Sequence, residues 1–339
     1  LADDLLAVRP TVLVAVPRVF ERSASAIRDA FSRRSRPLRW LFGCTVELGW
    51  RAFEHAQGRA PGTPLLVLLP PLRYLLARPV LARLGGRLRV AICGGAALPL
   101  EVARLFIGLG LPLLQGYGLT EASPVLTVNT LESNRPDSVG LPLPEVELRL
   151  SDAGELLARS PGVMAGYWRD AEATAAVLDA DGWLHTGDLA EQRDGHWYIT
   201  GRLKDIIVLA NGEKVPPVDI EHALMLDPLI HQALLVGEGR PYLAAVLVLH
   251  RKPWAQLART LGLDPDDPAS LADPRAEQAV LARAEAALHA FPGYARLRRV
   301  HLTLDEWTED NGLLTATQKV RRQQLQERYR DAIEAMYRS

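Results

Sequence analysis

Apolar residues in the first part of the chain fall in short continuous runs that end at glycine or proline. The runs Arg9–Pro17, Leu88–Cys93 and Pro112–Gln115 each have the length of a buried strand. Helices are predicted before the first run, over about Arg18–Arg34, and up to about Leu109. Strands alternating with helices indicate a mostly parallel α/β sheet, which binds ligands at the carboxyl ends of its strands.

The segment Leu65–Leu84 is very apolar but contains prolines and arginines. No run reaches the roughly 18 uncharged residues that a membrane span needs. We therefore expect buried helices here, and a patch facing a membrane is the second interpretation. Ser32–Trp40 is interpreted as a basic loop with an aromatic tip.

The pattern changes after Pro136, where short alternating strands separated by Gly, Asp and Pro turns predict a small β subdomain over about 137–200. These strands are Val146–Leu150, Gly154–Arg159 and Gly195–Thr200. A charged, turn-rich segment follows at 201–215. Beyond it, the sequence predicts an α+β domain with a helix over Pro217–Leu226, strands over Gln232–Val236 and Tyr242–Leu249, a long helical stretch, and a terminal helix from about Gln318. The predicted domains are residues 1–203 and 204–339.

The composition narrows the class of protein. Hydrophobic residues make up 48% of 339 positions, which fits two globular domains, and a net charge of −1 gives no general attraction to nucleic acid. Two cysteines favour a reducing cytoplasm over a disulfide framework. The chain begins with Leu and carries acid where a secretory signal carries base, so we expect a piece of a longer protein without a signal. Of 39 basic Lys and Arg residues, only four are lysine: Lys204, Lys214, Lys252 and Lys319.

The segment Gln115–Glu121 places an aromatic residue between two glycines, followed by a hydroxyl and a carboxylate. An aromatic ring can stack on a base, and glycines allow close approach of the backbone. A hydroxyl can reach phosphate, and a carboxylate can hold magnesium. With Gly182–Asp188 and Gly201–Asp205 downstream, the ordered set indicates a nucleotide-dependent enzyme.

The complete set of motifs resembles the acyl-adenylate-forming superfamily, whose members bind AMP. The resemblance covers essentially the whole chain, and its combined pattern is far more specific than any single motif. The motifs are Gly94–Pro99, Tyr117–Glu121, Gly154–Leu156, Gly162–Trp168, His185–Asp188, Gly201–Asp205 and Leu314–Lys319. Within this superfamily the chain looks most like long-chain fatty acid–CoA ligases, by Arg9–Thr11, Val16–Glu21 and Asn311–Lys319.

The resemblance implies an α/β fold that is the later part of a large N-terminal domain with its β subdomain, plus a small α+β C-terminal domain joined by a hinge. It implies a two-step reaction as well. A fatty acid carboxylate attacks the α-phosphate of ATP, giving acyl-AMP and pyrophosphate, and the thiol of CoA then displaces AMP. Magnesium is the implied metal. The small domain is implied to swing between the two steps.

The resemblance also implies residue roles in nucleotide binding. Tyr117 would stack on adenine and Thr120 would contact phosphate. Glu121 would hold magnesium, while Asp188 and Arg202 would hold the ribose. The remaining nucleotide-binding candidates are Gly94, Gly95, Ala96, Gln115, Gly116 and Gly118.

Each of these roles has a structural alternative. Tyr117 can be a packed aromatic at a strand-end turn. Thr120 and Glu121 are favoured at any helix N-terminus. Asp188 and Arg202 can simply pair in a turn. For His185, a side chain that satisfies the backbone is as good an interpretation as a functional one.

The resemblance gives implied roles at or beside three lysines. Lys204 stands at the hinge, where domain motion changes a few backbone angles. Lys214 lies just beyond Gly212, which would line a tunnel for the CoA thiol. Lys319 would stabilise the charge that builds on the α-phosphate, acting with Thr120 and Glu121 as the catalytic set. The alternative for Lys204 is a solvated loop lysine, and the alternative for Lys319 is a basic cluster at the start of a helix.

Two departures from the family pattern are visible. Ala316 stands where long-chain ligases usually have proline, and the upstream phosphate loop rich in Ser, Thr and Gly is absent. We therefore expect a truncated chain that is inactive alone. The expected location is the cytoplasm, and peripheral contact with the inner face of the membrane is the second interpretation. Two other functions stay open: a fatty acyl-AMP ligase that passes the acyl group to a carrier protein, and a non-catalytic nucleotide- or lipid-binding relative. Acyl chain length and oligomeric state stay open too.

Overall fold

The computed structural model describes residues 2–289, 291–315 and 320–338, and it divides into two compact units. The first unit comprises Leu1–Thr186 and Ala190–Ile199, and the second comprises Gly187–Leu189 and Thr200–Ser339. The sequence-based boundary at residue 204 stays a prediction.

The first unit is built on a sheet with strand order β1–β2–β3–β4–β5. Its strands are β1 Val12–Ala15, β2 Val90–Cys93, β3 Leu113–Tyr117, β4 Thr127–Val128 and β5 Leu141–Pro142. Strands β1, β2 and β3 are parallel, and β4 and β5 join them antiparallel. The parallel arrangement of the first three predicted strands is thus confirmed.

Helices cover this sheet. They are α1 Ala2–Val8, α2 Pro17–Ser32, α3 Arg36–Ala56, α4 Leu69–Leu72, α5 Arg78–Ala82 and α6 Leu100–Leu109. A 3₁₀ turn at Pro64–Leu68 and a π-helical turn at Arg73–Ala77 complete a continuous helical run from Pro64 to Ala82. The core of this layer includes Phe20, Ala91 and Phe106, which are at most 1% exposed.

Two predictions in this region are wrong. Trp40 lies inside α3, which begins at Arg36, so only residues 33–35 form a loop; a proline at the first helical turn favours this early start. The run Pro64–Ala82 is not buried, because only 11% of its most apolar window lies inside the structure. Among the described residues it is also the one helical run long and apolar enough, by length and composition, to cross a membrane, although it contains two arginines.

Helices α3 and α6 approach each other closely at two glycines. A Cβ at Gly49 would lie 1.8 Å from the carbonyl oxygen of Gly108, and a Cβ at Gly108 would lie 2.4 Å from that of Val46. Both clashes are with backbone, so a side-chain rotation cannot relieve them.

Gly49→Ala is therefore expected to destabilise the first unit by about 1–3 kcal/mol, as overpacking does. Gly43→Ala on the same helix is the matched control, since its added Cβ would have no described atom within 4 Å beyond its chain neighbours and the backbone of its own helix. This control should gain about 0.5–1 kcal/mol from helix propensity. Urea unfolding followed by circular dichroism measures both changes, and equal stability of the two variants would contradict the close helix contact.

The β subdomain is a second sheet with strand order β6–β7–β8–β9. The strands are β6 Glu147–Leu150, β7 Glu155–Arg159, β8 Leu184–Arg193 and β9 His196–Arg202. The short helix α7 covers Ala171–Val177. Strand β8 was missed because its buried face carries Thr186 and Asp188 as well as Leu184, so polarity does not alternate along it.

The second unit contains a ribbon and a three-stranded sheet of order β12–β13–β14. The strands are β10 Ile207–Val208, β11 Lys214–Val215, β12 Ile230–Val236, β13 Leu243–Leu249 and β14 Leu297–Thr303. The helices are α8 Pro217–Met225, α9 Arg251–Thr260, α10 Pro274–Ala287, α11 Arg322–Arg328 and α12 Arg330–Tyr337. Alternate residues of β13 enter two buried clusters on its opposite faces. Strand β14 was missed because only one of its faces is apolar and two arginines occupy its first half.

Candidate active site

The loops after β2 and β3 lie side by side because the two strands are parallel and in register, with Cys93 opposite Gln115. The buried side chain of Gln115 joins the loops directly. Its Oε1 accepts a hydrogen bond from the Leu98 backbone N–H at 3.1 Å, and its Nε2 donates to the carbonyl of Pro136. The Gln115 amide, predicted to bind nucleotide, is thus used to hold the loop after β2 against the end of β3.

The glycines of the two loops serve different purposes. Gly95 has a φ of +87°, a conformation that favours glycine, and it is exposed beside Ala96. A Cβ at Gly118 would lie 1.8 Å from the carbonyl oxygen of Pro124, and one at Gly116 would lie 3.1 Å from that of Thr127. Glycine is needed at these two positions because neighbouring backbone of the same chain lies too close for a side chain. The sequence analysis attributes this need to a bound nucleotide.

Tyr117 ends β3 half-buried between two apolar clusters. One cluster contains Ala122, Leu126, Ala158 and Leu184, and the other contains Leu156, Ala190 and Trp197. The packed-aromatic interpretation therefore accounts for the buried part of the ring. Stacking of a nucleobase on the exposed part stays a prediction.

Thr120 and Glu121 lie in a single 3₁₀ turn, Thr120–Ala122, immediately after β3. Two contacts from the segment that follows β7 hold Glu121. The Met164 backbone N–H donates to the Glu121 carbonyl at 2.7 Å, and the Tyr167 hydroxyl donates to Glu121 Oε1 at 2.9 Å. Thr120 is exposed. Sequence reasoning did not assign Tyr167 a role, although it lies in the Gly162–Trp168 motif.

The contact with Glu121 can be tested by titration. The hydrogen bond to the Glu121 carboxylate is the main cause that raises the pKa of Tyr167, with burial and the carboxylate charge adding to it. Phenolate absorbance is followed against pH in the wild type and in Tyr167→Phe, and the second curve is subtracted from the first. The difference should therefore show one phenol that ionises above pH 10. In a Glu121→Gln background the same difference should shift to lower pH, because the negative charge is gone. An unchanged midpoint would contradict the contact.

The metal-binding capacity of this turn is limited to one carboxylate. Among the described residues, no group of three or more His, Cys, Asp and Glu side chains could hold a metal ion. Magnesium keeps several waters and is commonly bound by one or two carboxylates plus substrate phosphates. Glu121 therefore fits a magnesium ion held mainly by phosphate oxygens, and magnesium would there neutralise charge on the phosphates.

Asp188 and Arg202 form an ion pair in the second unit. Arg202 Nε donates to Asp188 Oδ1 at 2.8 Å; the Asp188 side chain is 8% exposed and the Arg202 side chain is 54% exposed. This ion pair agrees with the alternative that Asp188 and Arg202 simply pair with each other. It also holds the Asp188 carboxylate in place on β8. His185, on β8, places Nδ1 2.9 Å from Oε2 of the buried Glu155, so a structural partner accounts for it.

The hinge candidate Lys204 is exposed in a 3₁₀ turn, Leu203–Asp205. It lines a cleft of about 640 Å³ whose wall also contains Asp205, Gly237, Arg321 and Arg322. Lys214 is exposed on β11, and the preceding Gly212 has a φ of +84°. The cleft lies wholly within the second unit.

Lys319 and Ala316 lie outside the described residues. The chain on both sides of them is anchored: Leu314 pairs with Val320, and the Arg321 N–H donates to the Leu313 carbonyl at 3.0 Å. Of the predicted residues, the structure thus brings together Gly94, Gly95, Ala96 and Gln115 to Glu121 in the first unit. Asp188, Arg202 and Lys204 belong to the second unit.

The sequence profile of one enzyme family matches both parts of the chain. The profile described as AMP-binding enzyme matches residues 1–168, and the AMP-binding enzyme C-terminal domain matches residues 204–339. The chain belongs to the AMP-binding enzyme family. The resemblance predicted from the motifs is thereby confirmed.

Relatives in this family differ in the acyl acceptor that their names state. The chain is 36% identical over 334 residues to the long-chain-fatty-acid–CoA ligase FadD15 of Mycobacterium bovis, covering 97% of this chain and 55% of that protein. It is 28% identical over 394 residues to a long-chain-fatty-acid–[acyl-carrier-protein] ligase of Arabidopsis thaliana, covering 99% and 51%. The chain spans about half the length of the curated relatives it matches.

The fold matches solved adenylation domains of the AMP-binding family. The adenylation domain of a carboxylate reductase from Mycobacterium chelonae superposes with a TM-score of 0.68 at 26% identity, covering 98% of this chain and 47% of that one. The predicted mixed α/β fold class is confirmed by this similarity.

Proposed function

We propose that this chain is the C-terminal part of an AMP-forming ligase that activates a long-chain fatty acid as acyl-AMP and transfers the acyl group to CoA. The observation that carries the proposal is the position of the loop Gly94–Ala97 and the segment Tyr117–Glu121. Both follow adjacent parallel strands at their carboxyl ends, where α/β sheets bind nucleotides. The family and the names of its relatives support the acyl-AMP chemistry.

The proposed residue roles rest on the family resemblance together with the local surroundings of each residue. Tyr117 offers the exposed part of its ring to adenine, while Gly95 and Ala96 line the opposite side. Thr120 reaches phosphate, and Glu121, held by Tyr167, binds magnesium. Asp188 accepts hydrogen bonds from the ribose hydroxyls, with its carboxylate oriented by the Arg202 guanidinium.

The second unit supplies the proposed catalytic and hinge lysines. Lys319 stabilises negative charge on the α-phosphate during attack by the fatty acid carboxylate. Lys204 is the point about which the second unit turns between the adenylation and thioester steps. Both roles rest on the family resemblance together with the position of Lys204 at the start of the second family match.

The experiment uses this chain and, in parallel, the protein encoded together with its upstream coding sequence. Palmitate-dependent exchange of pyrophosphate into ATP reports adenylation, and adding CoA reports thioester formation. We expect both reactions from the longer protein and neither from this chain alone. A longer protein that binds ATP but exchanges no pyrophosphate with any fatty acid tested would contradict the proposal and favour a non-catalytic binding protein.

The acyl acceptor separates the two enzymatic functions. The carrier-protein ligase among the relatives supports a second candidate, a fatty acyl-AMP ligase that uses a carrier protein. The same assay distinguishes them, because acyl-AMP that persists in the presence of CoA and is consumed by an acyl-carrier protein would defeat the CoA ligase.

We also propose a cytoplasmic location. Both cysteines are free, and burial, together with the nearby Glu21 carboxylate, raises the pKa of the Cys93 thiol to about 12. A thiol that stays protonated at neutral pH is a packing group and resists oxidation. Fractionation of cells into cytoplasmic, membrane and secreted material checks the location, and recovery only in secreted material would contradict it.

A further inference from the structure

The hydroxyl of Tyr167 occupies one of the two oxygens of the Glu121 carboxylate. It donates to Oε1 at 2.9 Å, across 46 positions of the chain. Within the part of the chain that the structure describes, this carboxylate makes no other hydrogen bond or ion pair, so Oε2 is the oxygen left for an ion. Carboxylates that bind metals are commonly hydrogen-bonded by a neighbouring group, which fixes their orientation.

The backbone that carries Tyr167 is held by the first turn of α7. The Tyr167 N–H donates to Thr174 Oγ1 at 2.9 Å, and the Asp170 N–H donates to the Tyr167 carbonyl at 3.3 Å. Thr174 Oγ1 in turn donates to the Asp170 carbonyl at 2.7 Å, and the Asp170 side chain caps α7 by accepting the Ala173 N–H. Because these contacts fix the phenol from its own segment, the phenol restrains the Glu121 carboxylate and does not simply follow it.

The backbone of Glu121 is fixed as well. The Met164 N–H donates to the Glu121 carbonyl at 2.7 Å, and the Ala122 N–H donates to the Leu119 carbonyl at 2.9 Å, which closes the 3₁₀ turn. Both ends of the contact between Tyr167 and Glu121 are therefore anchored. A carboxylate binds one ion through two oxygens only when both oxygens face that ion, and Glu121 would have to give up its hydrogen bond to do so.

Magnesium and calcium differ in how they use a carboxylate. Calcium takes more oxygen ligands in a flexible arrangement and accepts a carboxylate through one or both oxygens. Magnesium requires a near-octahedral set of ligands and keeps several waters. Since no group of three or more ligating side chains exists among the described residues, an ion beside Glu121 depends on this carboxylate and on phosphate oxygens. A carboxylate limited to one oxygen suits magnesium and denies calcium a second ligand.

We propose that Tyr167 is a positioning residue that limits Glu121 to one oxygen and thereby selects magnesium over calcium at the nucleotide site. This inference rests on the proposed function, because it requires a metal–nucleotide complex beside Glu121. It goes beyond that function by giving the site a metal specificity and by assigning the specificity to a phenol that does not touch the metal. Removing the hydroxyl frees Oε1, so calcium gains a second carboxylate oxygen while magnesium loses the orientation of its ligand.

The experiment measures binding of α,β-methylene-ATP, which cannot release pyrophosphate, to the longer protein by calorimetry. The nucleotide is saturated with either Mg²⁺ or Ca²⁺, and the measured quantity is the ratio of the two dissociation constants, calcium over magnesium. We expect a ratio well above one in the wild type. Tyr167→Phe should lower this ratio by at least about tenfold, the lower end of the effect of a group that holds a metal ligand. A merely structural role of Tyr167 would weaken both complexes alike and leave the ratio unchanged.

Two comparisons make this measurement selective. In a Glu121→Gln background the ratio should not depend on the Tyr167 hydroxyl, because an amide offers an ion one oxygen only, and this completes a double-mutant cycle. Tyr74→Phe, at an exposed tyrosine of the π-helical turn, is the matched control and should bind both complexes like the wild type. Circular dichroism checks that every variant is folded.

The outcomes separate this inference from the proposed function. Pyrophosphate exchange with each metal is the second measurement, and Tyr167→Phe should lose the preference of the wild type for magnesium. An unchanged ratio in Tyr167→Phe, in a protein that binds the nucleotide and exchanges pyrophosphate, would overturn the inference alone. A longer protein that binds neither metal–nucleotide complex would contradict the proposed function and overturn the inference with it.

Discussion

Arg322→Met is expected to lower the free energy of unfolding of the second unit by about 3–5 kcal/mol, the cost of leaving a buried charge without its partner. The Arg322 side chain is 16% exposed and donates to the carboxylate of Glu221, which is 7% exposed. Glu221 Oε1 also accepts the Leu235 backbone N–H at 2.7 Å, and Arg322 Nε lies 3.8 Å from Asp205 Oδ2. The guanidinium therefore ties the start of α11 to α8 and to the turn that holds Lys204.

The loss is expected to depend on pH. Burial raises the pKa of Glu221 above its ordinary value of 4.5, and the Arg322 charge and the Leu235 N–H oppose that rise. The folded state then binds the Glu221 proton more tightly than the unfolded state, so stability falls as the pH rises from 4.5 through the folded pKa. Without Arg322 the pKa rises further, so the deficit of the variant should be small near pH 4.5 and grow toward neutral pH.

Urea unfolding at pH 4.5 and 7.5 measures this difference, with fluorescence from Trp254 and Trp307, which are buried in the same unit. Adding Glu221→Gln to Arg322→Met should recover much of the loss at pH 7.5, because no buried carboxylate remains. Arg328→Met, an exposed arginine of the same helix, is the control. A deficit that is equal at both pH values would show that Arg322 contributes packing and not charge.

The strands that could be predicted from the sequence are each marked by one short apolar run, although β1, predicted as buried, has Val12 and Val14 exposed. Strands β1 to β3 are short apolar runs that end at proline or glycine, and they were predicted to within two or three residues at most ends. The run Pro64–Ala82 is equally apolar but is buried on one side only, and hydropathy cannot distinguish the two faces of such a helix. Strand β8 was hidden because Thr186 and Asp188 are buried polar residues whose partners become visible only in three dimensions.

In the candidate site, too, features marked by a local sequence pattern could be predicted and contacts between distant residues could not. Motif residues at the strand ends were found because several unusual residue types occur together in a fixed order. The contact between Tyr167 and Glu121 joins positions 46 residues apart, and that between Arg322 and Glu221 joins positions 101 residues apart. No local spacing predicts such contacts. The close approach of neighbouring backbone to Gly116 and Gly118 could not be predicted from the sequence either. In a sequence, a glycine required by a ligand cannot be distinguished from a glycine required by packing.

Lys319→Ala in the longer protein is expected to lower the rate of acyl-AMP formation by about 10²–10³-fold, the usual cost of removing a group that stabilises transition-state charge. The reason is chemical. Negative charge builds at the α-phosphate only during carboxylate attack, so under the proposed function the lysine is expected to act in the first half-reaction. CoA attack on supplied acyl-AMP breaks an already formed mixed anhydride and expels AMP, and its rate should stay within about threefold of wild type.

The two half-reactions make this prediction selective. Lys252→Ala, at an exposed lysine of α9 in the same unit, is the control and should change neither rate. Lys319→Arg keeps the charge but not the compact ammonium, so it should recover only part of the adenylation rate. Lys204→Pro should show the reverse pattern, because a fixed φ at the proposed hinge hinders the turn toward the thioester conformation while adenylation continues. If Lys319→Ala slowed both half-reactions equally, the lysine would be positioning the whole second unit and the assignment to adenylation would be wrong.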